Sequence, residues 1–175
     1  MPSLFHTVPN EMRGTVLYPL NELEYVDRSA WEREREKYAG RERVLELQVP
    51  PLECRWNDVL HLSPVHPADI VAELRAVGLE PLRSRFFEID AAGLDAARTV
   101  VFLNRRARSS GEIDASEWIP FEPEALPALA GFNEASRRYY RESAETGARP
   151  RPWAYLPHVF HRGALDVRDL PVLEV

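Results

Sequence analysis

Between Trp56 and Pro67 the chain reads Trp-Asn-Asp-Val-Leu-His-Leu-Ser-Pro-Val-His-Pro, which places an amide, a carboxylate and two imidazoles within ten residues. Asn57, Asp58, His61 and His66 flank the apolar residues Val59, Leu60 and Leu62, and a polar group carried into a core by such a run costs a few kcal/mol unless it is hydrogen-bonded. The segment is therefore either a reactive site or a satisfied structural network. As a site, its simplest chemistry is a histidine general base at His61, its tautomer fixed by the Asp58 carboxylate, with Asn57 counted beside them as a catalytic candidate. As a network, His66 serves the start of the helix at Pro67 while His61 donates to a backbone carbonyl or to Asp58.

Metal ligation is the other use of such residues. The pairs His61/His66 and His158/His161, completed by Asp58 or Asp69, supply the donors, but neither pair has helical i, i+4 spacing. On a strand, His158 and His161 point to opposite faces. No metal is assigned. Cys54 is the only cysteine, which excludes an internal disulfide and a multi-cysteine zinc site, and its setting between Pro50-Pro51-Leu52 and Trp56 reads as a small buried hydrophobe. No glycine-rich loop opens a helix, so the phosphate-binding loops of P-loop and doubly wound nucleotide folds are absent, as is a nucleophile elbow.

Arginine offers a further route to anions. Of 22 basic residues only Lys37 is a lysine. Arg105, Arg106 and Arg108 share one loop, and Arg137, Arg138 and Arg141 share one helix with Tyr139 and Tyr140, a combination suited to phosphate and a stacked base. Glu134, Glu142 and Glu145 on the same stretch give the competing reading of a solvated, charge-balanced helix face. The net charge of −6 argues against nucleic acid as a whole-surface partner.

The elements that position these groups follow from pattern. At 175 residues, 45% hydrophobic and 29% charged, the chain is expected to form one domain, residues 1–175, with its own core. Strands are expected at Leu4–Val8 and over 15–20, the latter interrupted by Pro19. A capping box at Ser29-Ala-Trp-Glu32 predicts a helix to about Tyr38, closed by Gly40. A short helical piece follows over 41–47, then the extended Pro50-Pro51 connection. Pro67 opens a helix with Ile70, Val71, Leu74 and Val77 on one face, stopped by Gly78. Strands are predicted over 86–89, 99–103, 118–121, 153–160 and 171–175, and helices over 122–129 and 132–146. This is an α+β chain with a mixed, mostly antiparallel sheet, strands at both ends and helices between. No apolar run approaches the ~20 residues of a membrane span, and Met1 to Pro9 lack a signal-peptide pattern, so a cytoplasmic protein without a membrane partner is expected.

The two ends of the chain carry a resemblance. Leu4-Phe-His-Thr7 is similar to the opening strand of ADP-ribosyltransferase-like domains, where that histidine holds a ribose of NAD. Phe87-Glu-Ile-Asp90, Thr99-Val-Val-Phe102, His158-Val-Phe-His-Arg-Gly163 and Pro171-Val-Leu-Glu174 resemble the later strands of such domains, including the toxin-like bacterial members. The resemblance implies His6 as the NAD-ribose contact beside Thr7, Tyr18 stacked on nicotinamide, and Glu174 as the acid that orients the acceptor. The chain also resembles small uncharacterised bacterial proteins with a Tyr-Pro-Leu-Asn element (18–21) and a Trp-Asn-Asp element (56–58), for which no activity is implied.

Three readings therefore stand: a nucleotide- or NAD-using transferase with His6, Tyr18, Asn57, Asp58 and His61 around one cleft; a general-base or metal-assisted enzyme built on His61 and Asp58; and a non-catalytic binding protein, with Trp118, Trp153 and Tyr155 at an interface. A small-molecule ligand is the expected partner, and a homo-oligomer is compatible with all three.

Overall fold

The computed structural model describes residues 1–81, 83–106 and 113–175. Strand β1 (Ser3–Thr7) and the short β2 (Val16–Leu17) precede Pro19, after which the chain turns helical as α1 (Leu20–Val26). The expected extended piece thus ends at Leu17, because Pro19 supplies a ready helix N-terminus and Leu20, Leu23 and Val26 then fall on one stripe. The next helix, α2 (Arg28–Glu36), is capped by Asp27 and not by Ser29: the Asp27 carboxylate accepts from the Ala30 amide at 3.0 Å, and the Ser29 hydroxyl donates to it at 2.8 Å. A carboxylate two residues upstream outcompetes the hydroxyl for the same orphan amides. Neither α1 nor α2 buries a residue.

After a 3₁₀ turn (Glu42–Glu46), β3 (Gln48–Val49) and β4 (Cys54–Arg55) pair across Pro50–Leu52. Pro50–Leu52 is itself a 3₁₀ turn and not the extended connection expected there; a third 3₁₀ turn (Trp56–Asp58) leads into β5 (Val59–Leu62), and α3 (Pro67–Ala76) follows. His66 caps α3, its Nδ1 accepting from the Ala68 amide at 3.1 Å, and Gly78 at φ 82° lets the chain leave it in the left-handed region. Then come β6 (Arg85–Asp90), β7 (Thr99–Phe102) and β8 (Trp118–Pro120). The helices α4 (Leu126–Leu129) and α5 (Glu134–Thr146, capped by Asn133) precede β9 (His158–Arg162), β10 (Leu165–Asp166) and β11 (Val172–Glu174).

The pairing is antiparallel throughout and gives an α+β fold. One sheet has the order β1-β6-β11, so both chain ends meet on β6; the other has the order β5-β9-β7-β8; β10 pairs with β2. Among the described residues one backbone bridge joins the two larger sheets: the Phe5 amide donates to the Ser63 carbonyl at 2.8 Å and the Ser63 amide returns to the Phe5 carbonyl at 2.9 Å.

Alternation along these strands sorts the core. Leu4, Phe87 and Ile89 from the first sheet meet Leu60, Leu62, Val101 and Val159 from the second. The opposite face of the second sheet presents Val59, Val100, Phe102 and Phe160 to Val49, Leu52, Cys54 and Trp56, so Cys54 is a buried packing residue, and burial raises its thiol pKa. Val65, Ile70 and Leu74 of the α3 region pack with Tyr140 and Leu156.

Candidate functional site

Beyond the Phe5–Ser63 joint, β1 and β5 share no further bridge among the described residues, and a cavity of about 570 Å³ opens where they separate. Leu20, Leu23 and Val26 of α1 and Ala30, Arg33 and Glu34 of α2 line it, so the apolar stripe of α1 faces the cavity and not the core. His6 and Thr7 reach the cavity from β1, Tyr18 from the junction before α1, Asn57 from the Trp56–Asp58 turn, and His61 from β5. Its volume lies in the range of small-molecule sites.

His6 is half-buried, and its Nδ1–H donates to the Thr7 carbonyl at 2.7 Å. That bond fixes the tautomer and leaves Nε2 as a lone-pair acceptor. Burial lowers its pKa below the ordinary histidine value, against smaller opposing effects from the Thr7 carbonyl and Glu34, while Lys37 adds to the lowering. At neutral pH the ring is therefore an uncharged acceptor, suited to a hydroxyl group. His61 donates from Nε2–H to the Trp56 carbonyl at 2.9 Å, and its ring lies against Trp56 and Phe160, with centroids 5.0 and 4.4 Å away. His158, across from His61 at 6.4 Å between centroids, donates from Nδ1–H to the Leu156 carbonyl at 2.9 Å and also lines the cavity.

Asp58 does not join them. Its Oδ1 accepts from Asn21 Nδ2 at 2.7 Å and its Oδ2 accepts from the Arg55 amide at 2.7 Å, so the carboxylate closes the turn before β5 and ties α1 to it. The anticipated Asp58–His61 pairing is not formed, because a backbone carbonyl, not a carboxylate, orients His61. Glu174 is also remote: β11 lies on the far side of β6 from β1, where Glu174 faces Arg85 in register. Among the described residues no three metal-ligating side chains converge.

The arginine stretches are charge-balanced faces. Arg105 and Arg106 are held by Glu117 and Asp114, and Arg108 lies outside the described residues. On α5, Arg137 meets Glu73, Arg138 meets Glu142, and Arg141 meets Glu134. The aromatics proposed for an interface pack inward in part: Trp118 against Phe102 at 4.9 Å, and Trp153 against Phe86 at 5.9 Å with an edge on the cavity.

Cations at the cleft are instead Arg13, Arg33 and Lys37. Arg33 pairs with Glu11 at 3.7 Å, and Lys37 pairs with Glu34. Sequence reasoning missed these, together with His158 as a cavity residue and the whole inner stripe of α1; the i, i+3, i+6 spacing of Leu20, Leu23 and Val26 was the available signal. Comparison of the chain with protein-family models, with curated proteins and with solved structures yields no match in any of the three.

Proposed function

We propose that the protein is a nucleotide-ligand transferase of the ADP-ribosyltransferase-like kind that takes NAD in the cleft between β1 and β5. The observation that carries this reading is the convergence of His6, Thr7 and Tyr18 from the N-terminal elements with Asn57 and His61 on one cavity of about 570 Å³. Neutral His6 offers Nε2 to a ribose hydroxyl, Tyr18 offers a ring for stacking, and Arg13, Arg33 and Lys37 offer charge to a diphosphate. The exposed pairs that now hold Arg33 and Lys37 exchange readily for phosphate, since such pairs contribute roughly 0–1 kcal/mol.

With Glu174 away from the cleft, the acceptor would have to be oriented by another group. Glu34, which acts electrostatically on His6 and lines the same wall, is the acid in position. No helix among the described residues is long and apolar enough to cross a membrane.

Thermal denaturation with NAD, ADP-ribose and ATP tests the proposal, because a ligand of the folded state raises the melting temperature by mass action. NAD and ADP-ribose should stabilise the wild type, and His6→Ala should lose most of that shift. Absence of a shift with either would move the assignment to a non-nucleotide binding protein.

A further inference from the structure

We infer that Asn57 selects the ligand of this cleft by donating a hydrogen bond from its side-chain amide to a neutral carbonyl oxygen of the bound molecule. The inference rests on the cleft being the ligand site proposed above, and it adds a chemical class: a carboxamide or a ring carbonyl.

Asn57 is 2% exposed yet lines the cavity, and its Nδ2 has no hydrogen-bond partner among the described residues. Leaving a buried donor unsatisfied costs about 1–3 kcal/mol. The acceptors flanking it in sequence are engaged, the Trp56 carbonyl by His61 and both Asp58 oxygens by Asn21 and Arg55. A leucine, which has the same branching at Cγ, would avoid the penalty in a wall already lined by Leu60 and Leu62. The terminal torsion of asparagine is broad and soft, so Nδ2 turns onto the cavity face at little cost when an acceptor arrives. The other buried donor without a partner, Trp118 Nε1, belongs to a ring packed against Phe102 and Phe160 and does not line the cavity.

Charge decides between a neutral and an anionic acceptor. The cleft cations come from the loop before β2 and from α2, whereas Asn57 stands on the turn before β5 with the Asp58 carboxylate as its neighbour. An anionic oxygen at Asn57 meets the field of that adjacent carboxylate, while the one cation of the same turn, the capping residue Arg55, is exposed to solvent; a neutral carbonyl oxygen meets no such repulsion.

The test is calorimetric titration of the wild type and Asn57→Leu with benzamide, uracil, benzoate and ADP-ribose. Benzamide and uracil distinguish the carboxamide from the ring carbonyl; benzoate is the anionic control. We expect one carbonyl probe to bind the wild type, benzamide or uracil at least tenfold more tightly than benzoate, and Asn57→Leu to weaken that probe about tenfold with an unchanged or raised melting temperature. Equal binding of carbonyl probes and benzoate, no binding of either carbonyl probe, or an unchanged affinity in Asn57→Leu overturns the inference. A lowered melting temperature with unchanged probe affinity marks Asn57 as structural. Should leucine fail to fold, Asn57→Ser reads the same loss. ADP-ribose carries no such carbonyl, so its binding reports on the nucleotide proposal alone: carbonyl binding without ADP-ribose binding sinks that proposal and leaves this one standing.

Discussion

Asn21 on α1 donates to Asp58 at 2.7 Å, and the same carboxylate takes the Arg55 amide at 2.7 Å, so one side chain holds both the turn into β5 and the first helix over the cleft. Asp58→Ala removes a turn cap and an interhelical tether at once. The expected loss is about 1–2 kcal/mol, read as a lower urea midpoint with little change in m. A variant as stable as wild type would show that the carboxylate is not structural.

The α1–α2 hairpin is lightly anchored, since it buries no residue while β5 and β9 lie in the core. Its amides should exchange with solvent orders of magnitude faster than those of Leu60 or Val159, and trypsin should cut first among Arg28, Arg33, Arg35 and Lys37. Saturating ADP-ribose should slow both. Cleavage that begins elsewhere, or is indifferent to the ligand, would separate the hairpin from the site.

Acidification should weaken the fold through two histidines. Burial lowers the pKa of His6 and, in the same way, that of His161, where nearby Arg98 adds to the effect and Asp95 opposes it. At His161 the Thr99 hydroxyl donates to the Asp95 carbonyl at 2.7 Å, so Nδ1–H must donate to the Thr99 oxygen at 2.9 Å. With folded pKa values below the unfolded value of about 6.5, the unfolded chain binds protons that the native state refuses. Stability is thus complete above about pH 7 and falls as pH drops through 6.5, levelling off below the folded values. His6→Gln with His161→Gln should flatten urea midpoints measured between pH 5 and 8; an unchanged slope would place the titration elsewhere.

Tyr140 is fully buried, and its hydroxyl donates to the Pro152 carbonyl, while burial pushes the phenol pKa well above its ordinary value. Tyr140→Phe keeps the ring contacts and strands that carbonyl. A cost of about 1–2 kcal/mol is expected, a melting temperature lower by roughly 3–6 °C for a chain of this length.

Local signals in the sequence located most strands and the α3 and α5 helices, since Pro67, Gly78 and Gly147 punctuate them and their apolar spacing is regular. Two errors near the N-terminus have different causes: Asp27 takes the Ala30 amide and so caps α2 in place of Ser29, whereas α1 starts at Leu20 without a side-chain cap, its apolar stripe meeting the cleft wall. At the site, His6, Thr7, Tyr18, Asn57 and His61 were legible as residue types. Their sharing a cleft was an expectation of the transferase reading and not a product of local pattern, because it depends on a β1–β5 contact of high sequence separation; Asp58, expected there too, does not line the cavity. The Asp58–His61 pairing failed for the same reason: the partner that claims Asp58 is Asn21, 37 residues away.

Among the described residues Phe5–Ser63 is the one backbone bridge between the two walls of the cleft, so a change in their splay would be smallest beside it. With a rise of about 3.3 Å per residue, a 5° change in splay moves a point two residues from the bridge by only about 0.6 Å, and more distant points proportionally further. His6 and His61 sit one and two residues from that bridge, and Asn57 lies past the other end of β5. Ligands of different girth would then meet the imidazoles in nearly constant geometry, while the grip at Asn57 and beneath α1 opens or closes to suit them.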